Sequence, residues 1–167
     1  NRLMFPIRNI KGEIVGFGGR TLGDDSAKYM NSPETPLFHK SSVLYGIDLA
    51  RDAIRQQDAV VFVEGYVDVL MAHQHGCRAV VATLGTALNE AHLQQLRRFV
   101  PRVVLVFDAD SGGDRGVDLA LQLFLEHDIE LAIAQLPAGL DPCDFVQAHG
   151  REAFEQVLTQ AVDALEY

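Results

Sequence analysis

Six carboxylates carry the chemistry that this sequence can do. Glu64 and Asp68 follow directly on the apolar run Val60-Val61-Phe62-Val63, and Asp108 and Asp110 follow directly on Val103-Val104-Leu105-Val106-Phe107. A third acidic group, Asp141-Pro142-Cys143-Asp144, stands beyond the last apolar run. Carboxylates that converge repel one another unless a cation sits among them. Hard carboxylate oxygens suit Mg²⁺, a cation that works most often on phosphates. Local roles compete with this reading at each position. An acid such as Glu64 stabilises a helix start, a DxD can form an Asx turn, and Asp141 followed by Pro142 reads as a helix N-cap with proline at the first helical position. Each local role explains one acid well. Two acidic strand ends in one sheet favour a metal site.

The elements that must position these acids alternate along the chain. Short strands are expected at Met4–Ile7 and Glu13–Phe17 around the turn at Lys11-Gly12, followed by Gly16, Gly18 and Gly19. The polar stretch from Asp24 to Lys40 is long for a structureless loop, and loops of that kind tend to be functional. A helix is expected over Ile47–Gln56. From Ala59 onward, strands at 59–63, 79–82, 102–107 and 129–135 alternate with helices at 66–75, 90–99 and 114–127, the second of these capped by Asn89. Such alternation implies a parallel α/β sheet with right-handed crossovers, and open sheets of this kind bind ligands at the carboxyl ends of their strands. Two helical stretches, roughly 143–149 and 151–165, flank Gly150. Leu93, Leu96 and Phe99, and likewise Leu119, Leu123 and Phe124, read as core stripes.

Composition narrows the class. The chain has 167 residues, 48% of them hydrophobic, enough for one well-formed core. No apolar run approaches the roughly 18 residues of a membrane span, and no signal peptide is visible, so a cytoplasmic protein is expected. Cys77 and Cys143 form no metal-binding pair, so zinc is not expected in this stretch. The net charge of −9 is unevenly spread: residues 1–57 hold eight Lys/Arg against six Asp/Glu, whereas 58–167 hold six against seventeen. A mildly basic segment thus precedes a strongly acidic one, which reads as a solvated acidic surface or, more sharply, as a phosphate-contacting arm beside a metal-binding domain. Rival strand-end DxD enzymes, the haloacid-dehalogenase-like phosphatases and the receiver domains, need a late lysine, and no lysine follows Lys40. A G-x-x-x-x-G-K-[ST] loop is absent, which excludes a P-loop NTPase.

Val63-Glu64-Gly65-Tyr66-Val67-Asp68-Val69 and Phe107-Asp108-Ala109-Asp110 resemble the two signatures of the Toprim domain, which primases, topoisomerases and some nucleases share. Phe5-Pro6-Ile7-Arg8, Gly16-Phe17-Gly18-Gly19-Arg20, the long segment from Lys28 to Lys40 and Ala82–Leu88 resemble the catalytic core of the bacterial DnaG-type primases. The resemblance runs from Arg2 to about His149. It implies a Toprim-like four-stranded parallel sheet flanked by helices (58–140), preceded by part of an N-terminal α+β subdomain (1–57) and followed by the end of a metal-site loop and the start of a helical subdomain (141–167).

The function so implied is synthesis of short RNA primers from NTPs on single-stranded DNA, with Mg²⁺, or Mn²⁺, as cofactor. Glu64, Asp68, Asp108, Asp110 and Asp141 match the family's acidic metal-site residues. Glu64, Asp108 and Asp110 are the expected catalytic group. The family carries an acid where this chain has Cys143, and a thiolate is a poor ligand for Mg²⁺, so either Asp144 substitutes or that metal position is weaker here. Arg20, Lys28 and Lys40 are expected to meet triphosphate or template backbone, with Tyr29 and Asn31 orienting a base or ribose. His39 reads equally well as a phosphate contact or a structural loop histidine. Expected partners are the single-stranded template, NTPs, the RNA primer and, through another domain, a replicative helicase. No membrane partner is expected, and the chain is expected to be a monomer. The alternatives are a Toprim nuclease or topoisomerase fragment and a non-catalytic nucleic-acid-binding module.

Overall fold

The β-branched runs of this chain build a sheet that is buried on both faces, and the face each residue takes follows from its parity in the strand. The structure, a computed structural model, describes residues 1–24, 26–96, 100–107, 122–124, 127, 129–137 and 139–167. Asp108, Asp110, Ser111-Gly112-Gly113, Asp114, Phe99, Leu119 and most of the helix expected over 114–127 lie outside the described residues.

The first unit is an antiparallel sheet of β1 (Arg2–Arg8), β2 (Ile14–Thr21) and β3 (Tyr29–Asn31), in that order. The β1–β2 turn is built on Asn9, whose Oδ1 accepts from the backbone of Lys11 (3.0 Å) and Glu13 (3.1 Å). Two expectations change here. Gly18 and Gly19 do not end a strand but continue β2. The reason is close approach. A Cβ on Gly16 would lie 3.0 Å from the Phe38 ring, and one on Gly18 would lie 2.3 Å from the Tyr66 ring and hydroxyl. The polar stretch after Asp24, expected as loop, contains β3, whose register pairs Gly18 with Asn31, Gly19 with Met30 and Arg20 with Tyr29.

Helix α1 (Ile47–Gln57) leads into the larger sheet, formed by β4 (Ala59–Val63), β5 (Val80–Ala82), β6 (Arg102–Phe107), β7 (Glu130–Gln135) and β8 (Val162–Asp163) in the order β5-β4-β6-β7-β8. The first four strands in that order run parallel, as expected, and β8 adds an antiparallel edge. The helices are α2 (Tyr66–Gln74), α3 (Glu90–Leu96) and α4 (Pro142–Thr159). Helix α4 bends at Gly150, where φ is 78°, and stops at Thr159 rather than near 165. The residues beyond it return to the sheet, where the Ala164 backbone N–H donates to the Leu131 carbonyl at 2.9 Å.

Two side-chain rows divide the core. Val80, Val61, Val104 and Ala132 lie side by side across four strands and pack beneath α2, α4 and the antiparallel sheet. Val81, Phe62, Leu105 and Ile133 form the next row and face α1 and α3. From β4 the chain moves to β5 through α2, then crosses back to β6 on the other side of β4 through α3. Helices α2 and α3 therefore cover opposite faces, and the carboxyl ends of β4 and β6 flank a topological switch point, the place where open α/β sheets bind ligands. Glu64 stands at the end of β4 there.

Candidate metal and nucleotide site

Glu64 and Asp68 are placed by the strand-to-helix turn at Gly65. Asp68 is the third residue of α2, and its Oδ2 accepts from the Gly65 backbone N–H at 2.9 Å. Its Oδ1 accepts from the Cys143 backbone N–H at 3.2 Å. One carboxylate thus ties the start of α2 to the start of α4. At α4, Asp141 is the N-cap: its Oδ1 accepts from the Asp144 backbone N–H at 2.7 Å, with Pro142 in the first turn. The local role read from the sequence is present, and it brings Asp141 and Asp144 beside Asp68.

The donor atoms of Asp141, Cys143 and Asp144 all lie within 4.8 Å of one another. Burial, then the neighbouring Asp141, Asp68 and Asp144 charges, push the Cys143 thiol up, while Arg20 opposes the shift. The two exposed carboxylates do fit a hard divalent cation, and Cys143 does not. A carboxylate such as Asp68 offers more acceptor sites than its two backbone bonds use.

Arg20, Tyr29 and Asn31 arrive from the antiparallel sheet, Lys28 just before β3, and Lys40 from the loop beyond it. Arg20 and Tyr29 are cross-strand partners in β2 and β3, with the guanidinium 5.7 Å from the ring centroid. Asn31 follows two residues later on the same strand face as Tyr29. Lys40 is held through its backbone: the Glu34 Oε1 accepts from the Lys40 N–H at 2.9 Å, and the Glu34 Oε2 meets His39 Nδ1 at 3.0 Å. His39 thus closes the loop. The Lys40 N–H, more than any other group, holds the Glu34 carboxyl below its ordinary value.

The loop that carries Lys40 is anchored on the larger sheet. Tyr45 and Ala82 exchange backbone hydrogen bonds at 2.9 and 3.1 Å. From α3, the Asn89 Nδ2 donates to the Ser41 carbonyl (2.7 Å) and the Gln95 Nε2 donates to the Ser42 carbonyl (2.5 Å). Asn89 also caps α3 through its Oδ1, as expected. Between them, His92 is fully buried, and neither ring nitrogen has a partner in hydrogen-bond geometry among the described residues.

These placements converge on one cavity of about 660 Å³. Arg20, Lys28, Tyr29, Asn31 and Lys40 line one side of it, and Glu64, Asp68, Asp141 and Asp144 line the other. Every described member of the expected site reaches this space. Asp108 and Asp110 lie outside the described residues. Glu64 also borders a second cavity of about 290 Å³, walled by Thr83 and Gly85–Leu88 at the strand ends. Two lining features escaped the sequence reading. Leu84 takes a left-handed φ of 59° and Gly85 one of 76°, folding the loop after β5 over the cavity. Tyr66 lies between the two sheets. Its ring stacks on Phe5 at 4.9 Å and meets Tyr45 edge-on at 4.7 Å, and its hydroxyl donates to the Asn31 Oδ1.

An α/β sheet with acids at its switch point, faced by a basic antiparallel sheet, defines the class, and the sequence matches follow the same division. Residues 61–146 match the Toprim-like family model, and residues 1–51 match the model for the DNA primase catalytic core, N-terminal domain. The chain belongs to the Toprim-like family, among the catalytic cores of the DnaG-type primases. A DNA primase of Halalkalibacterium halodurans is 46% identical over 156 residues, covering 93% of this chain and 26% of the relative. The RNA polymerase domain of Mycobacterium tuberculosis primase DnaG superposes with a TM-score of 0.92 at 39% identity, covering 99% of this chain and 57% of that one. A DnaG primase catalytic domain bound to ssDNA superposes with a TM-score of 0.89 at 40% identity, covering 98% of this chain and 54% of that one. The chain spans about a quarter of the length of the curated relatives it matches. Among the described residues, no helix is long and apolar enough to cross a membrane.

Proposed function

We propose that this chain forms the catalytic centre of a DNA primase, which joins ribonucleotides from NTPs into short RNA primers on a single-stranded DNA template during replication. The observation that carries the reading is the single cavity with cations and amides on one wall and carboxylates on the other. Identity of 40–47% to DNA primases supports the reaction, and the ssDNA-bound neighbour supports the template.

In this reading Arg20, Lys28 and Lys40 neutralise and hold triphosphate or template phosphates, Tyr29 orients base or ribose, and Asn31 adds its carboxamide to the same cavity. Glu64, Asp68, Asp108, Asp110, Asp141 and Asp144 would hold the divalent cations, Mg²⁺ or Mn²⁺. When bound, such cations polarise phosphoryl oxygens and offset the charge on departing pyrophosphate. A primer 3′-hydroxyl attacks the α-phosphate in line, a step that depends on positioning and electrostatics rather than on a covalent protein nucleophile. Glu64 stands where a ligand or a proton acceptor is needed, at the switch point and between the two cavities. Residues 1–57 supply the nucleotide-contacting subdomain, 58–140 the Toprim domain and 141–167 the closing metal loop. The protein works in the cytoplasm as a monomer, and a helicase engages it through a separate domain.

The test is template-dependent incorporation of labelled NTPs by the full-length protein. Incorporation that requires Mg²⁺ or Mn²⁺ and is lost in Asp108→Ala is expected. No incorporation with either metal, while Asp108→Ala binds single strands like the wild type, contradicts the reading. That outcome would favour a non-catalytic nucleic-acid-binding module, the alternative to which a cysteine among the acids, a poor ligand for a hard cation, lends weight.

A further inference from the structure

The Tyr66 hydroxyl passes directly from the larger sheet's domain to the antiparallel sheet beside the cavity, and its position is over-determined. The ring lies parallel to Phe5, with 5° between planes, and is closed from the side by Tyr45 at 84°. Only 4% of the residue is exposed. Beneath the hydroxyl runs the backbone of Gly18, where any side chain would collide at 2.3 Å. Gly18 is the cross-strand partner of Asn31. The space left by the missing side chain on β2 is what lets the tyrosine reach the carboxamide on β3.

We infer that Tyr66 is a positioning residue whose hydroxyl fixes the Asn31 carboxamide so that its Nδ2 donates to a phosphoryl oxygen in the cavity. The hydroxyl donates to the Asn31 Oδ1. A carboxamide whose oxygen is so engaged offers its two N–H donors to whatever lies opposite. Among the described residues nothing accepts from that nitrogen. Asn31 lines the cavity together with Arg20, Lys28 and Lys40, so the acceptor these groups select in common is an anionic oxygen. Tyr66 also follows Glu64-Gly65 directly, so the acid at the switch point and the hydroxyl that aims the amide belong to one rigid turn.

The inference rests on the proposed function for the identity of the phosphate: a nucleoside triphosphate or the template backbone. Two binding titrations on the full-length protein separate them, one with a labelled non-hydrolysable ATP analogue and Mg²⁺, the other with fluorescein-labelled oligo-dT. Incorporation is scored separately, so loss of the priming reading is distinguishable from loss of this one. Tyr66→Phe keeps the ring and removes the hydroxyl, and it is expected to weaken one of the two probes roughly fivefold. Asn31→Ala is expected to weaken the same probe by about tenfold, and the double variant no further than Asn31→Ala alone. Asn31→Asp keeps the acceptor for Tyr66 but loses the donors, so it is expected to bind at least as weakly as Asn31→Ala. Wild-type affinity in Asn31→Asp would mean that the side chain serves only as a structural partner of Tyr66, and would overturn the inference. Multiplying effects in the double variant, or a wild-type protein that binds neither probe, would overturn it as well. Thermal melting of each variant within a degree or two of wild type is the expected accompaniment, and binding losses that track melting losses would also count against it.

Discussion

The two sheets of this molecule deliver polar groups to the same cavity by opposite means. In the parallel sheet β4 and β5 are wholly apolar, β6 and β7 carry polar residues only at their first or last positions, and the acids of the site stand beyond the strand ends or at the starts of the helices that follow. In the antiparallel sheet three of the groups sit within the strands, with Arg20 the cross-strand partner of Tyr29 and Asn31 that of Gly18, while Lys28 and Lys40 flank the sheet in the connecting segments. End-placed groups are fixed by topology, because any strand that finishes at the switch point delivers its next residues there. In-strand groups are fixed by register, because a slip of one residue turns every side chain to the opposite face. The acidic wall therefore depends on which residue types follow the strands. The basic wall depends on small residues and packing that hold the register.

The largest effect that would sharpen this contrast comes from the acidic wall. Glu64→Gln is expected to lower primer synthesis by on the order of 10²–10³ while single-strand affinity stays within about twofold of wild type, as read by incorporation and anisotropy on the same samples. Equal losses in both would place Glu64 in binding rather than chemistry and break the division between the walls.

The next effect belongs to the register of the basic wall. Gly18→Ala places a methyl group against the Tyr66 ring and should cost about 1–3 kcal/mol in thermal or denaturant unfolding. Gly23→Ala, with nothing within 4 Å of the added carbon, should stay within about 0.5 kcal/mol of wild type. Similar values for the two would show that close packing does not set the register.

The joint between the walls should respond to pH. Burial pushes the His92 imidazole down to about 4 against the opposing pull of the Val43 backbone, from an ordinary value of 6.5. The unfolded chain takes up the proton first, so the stability this neutral histidine carries is present above pH 6.5 and lost as pH falls toward about 4. His92→Leu should flatten that part of the stability profile, measured by urea unfolding across the window. An unchanged slope would assign the acid sensitivity to the carboxylates of the other wall.

The smallest effect is electrostatic. Lys28→Ala should reduce the salt slope of single-strand binding by about 0.7, with no change in melting temperature. An unchanged slope would remove Lys28 from the phosphate-contacting wall.

The contrast between the walls also decides what was legible in the sequence. Strand ends are marked locally, by an apolar β-branched run that breaks into acids, so β4, β6 and Glu64 could be read directly. Caps are equally local, and both Asn89 and Asp141 occupy the positions their neighbours suggest. Register is not local. Strand β3 has three residues in a polar stretch with no period, and it exists only because β2 offers an edge. Glycines such as Gly18 have the same signature in a turn as under an aromatic ring, and only Tyr66, distant in sequence, distinguishes the two. Tyr66 itself carried no polar pattern that pointed to Asn31. Strand β8 is two residues long and forms after α4 has ended, where β7 still has an open edge. The family resemblance identified the Lys28–Lys40 segment as important, but its anchoring by Glu34, Asn89 and Gln95 emerges only from the fold.

The central claim is that the two walls enclose one site for cation and triphosphate. Crystals of the protein soaked with Mn²⁺ and a non-hydrolysable ATP analogue test it most directly, with manganese located by its anomalous signal. The account predicts manganese within about 2.0–2.4 Å of carboxylate oxygens drawn from Glu64, Asp68, Asp108, Asp110, Asp141 and Asp144, with the triphosphate against Arg20, Lys28 and Lys40. Manganese bound away from these acids, or a triphosphate that touches none of the three cations, would contradict it.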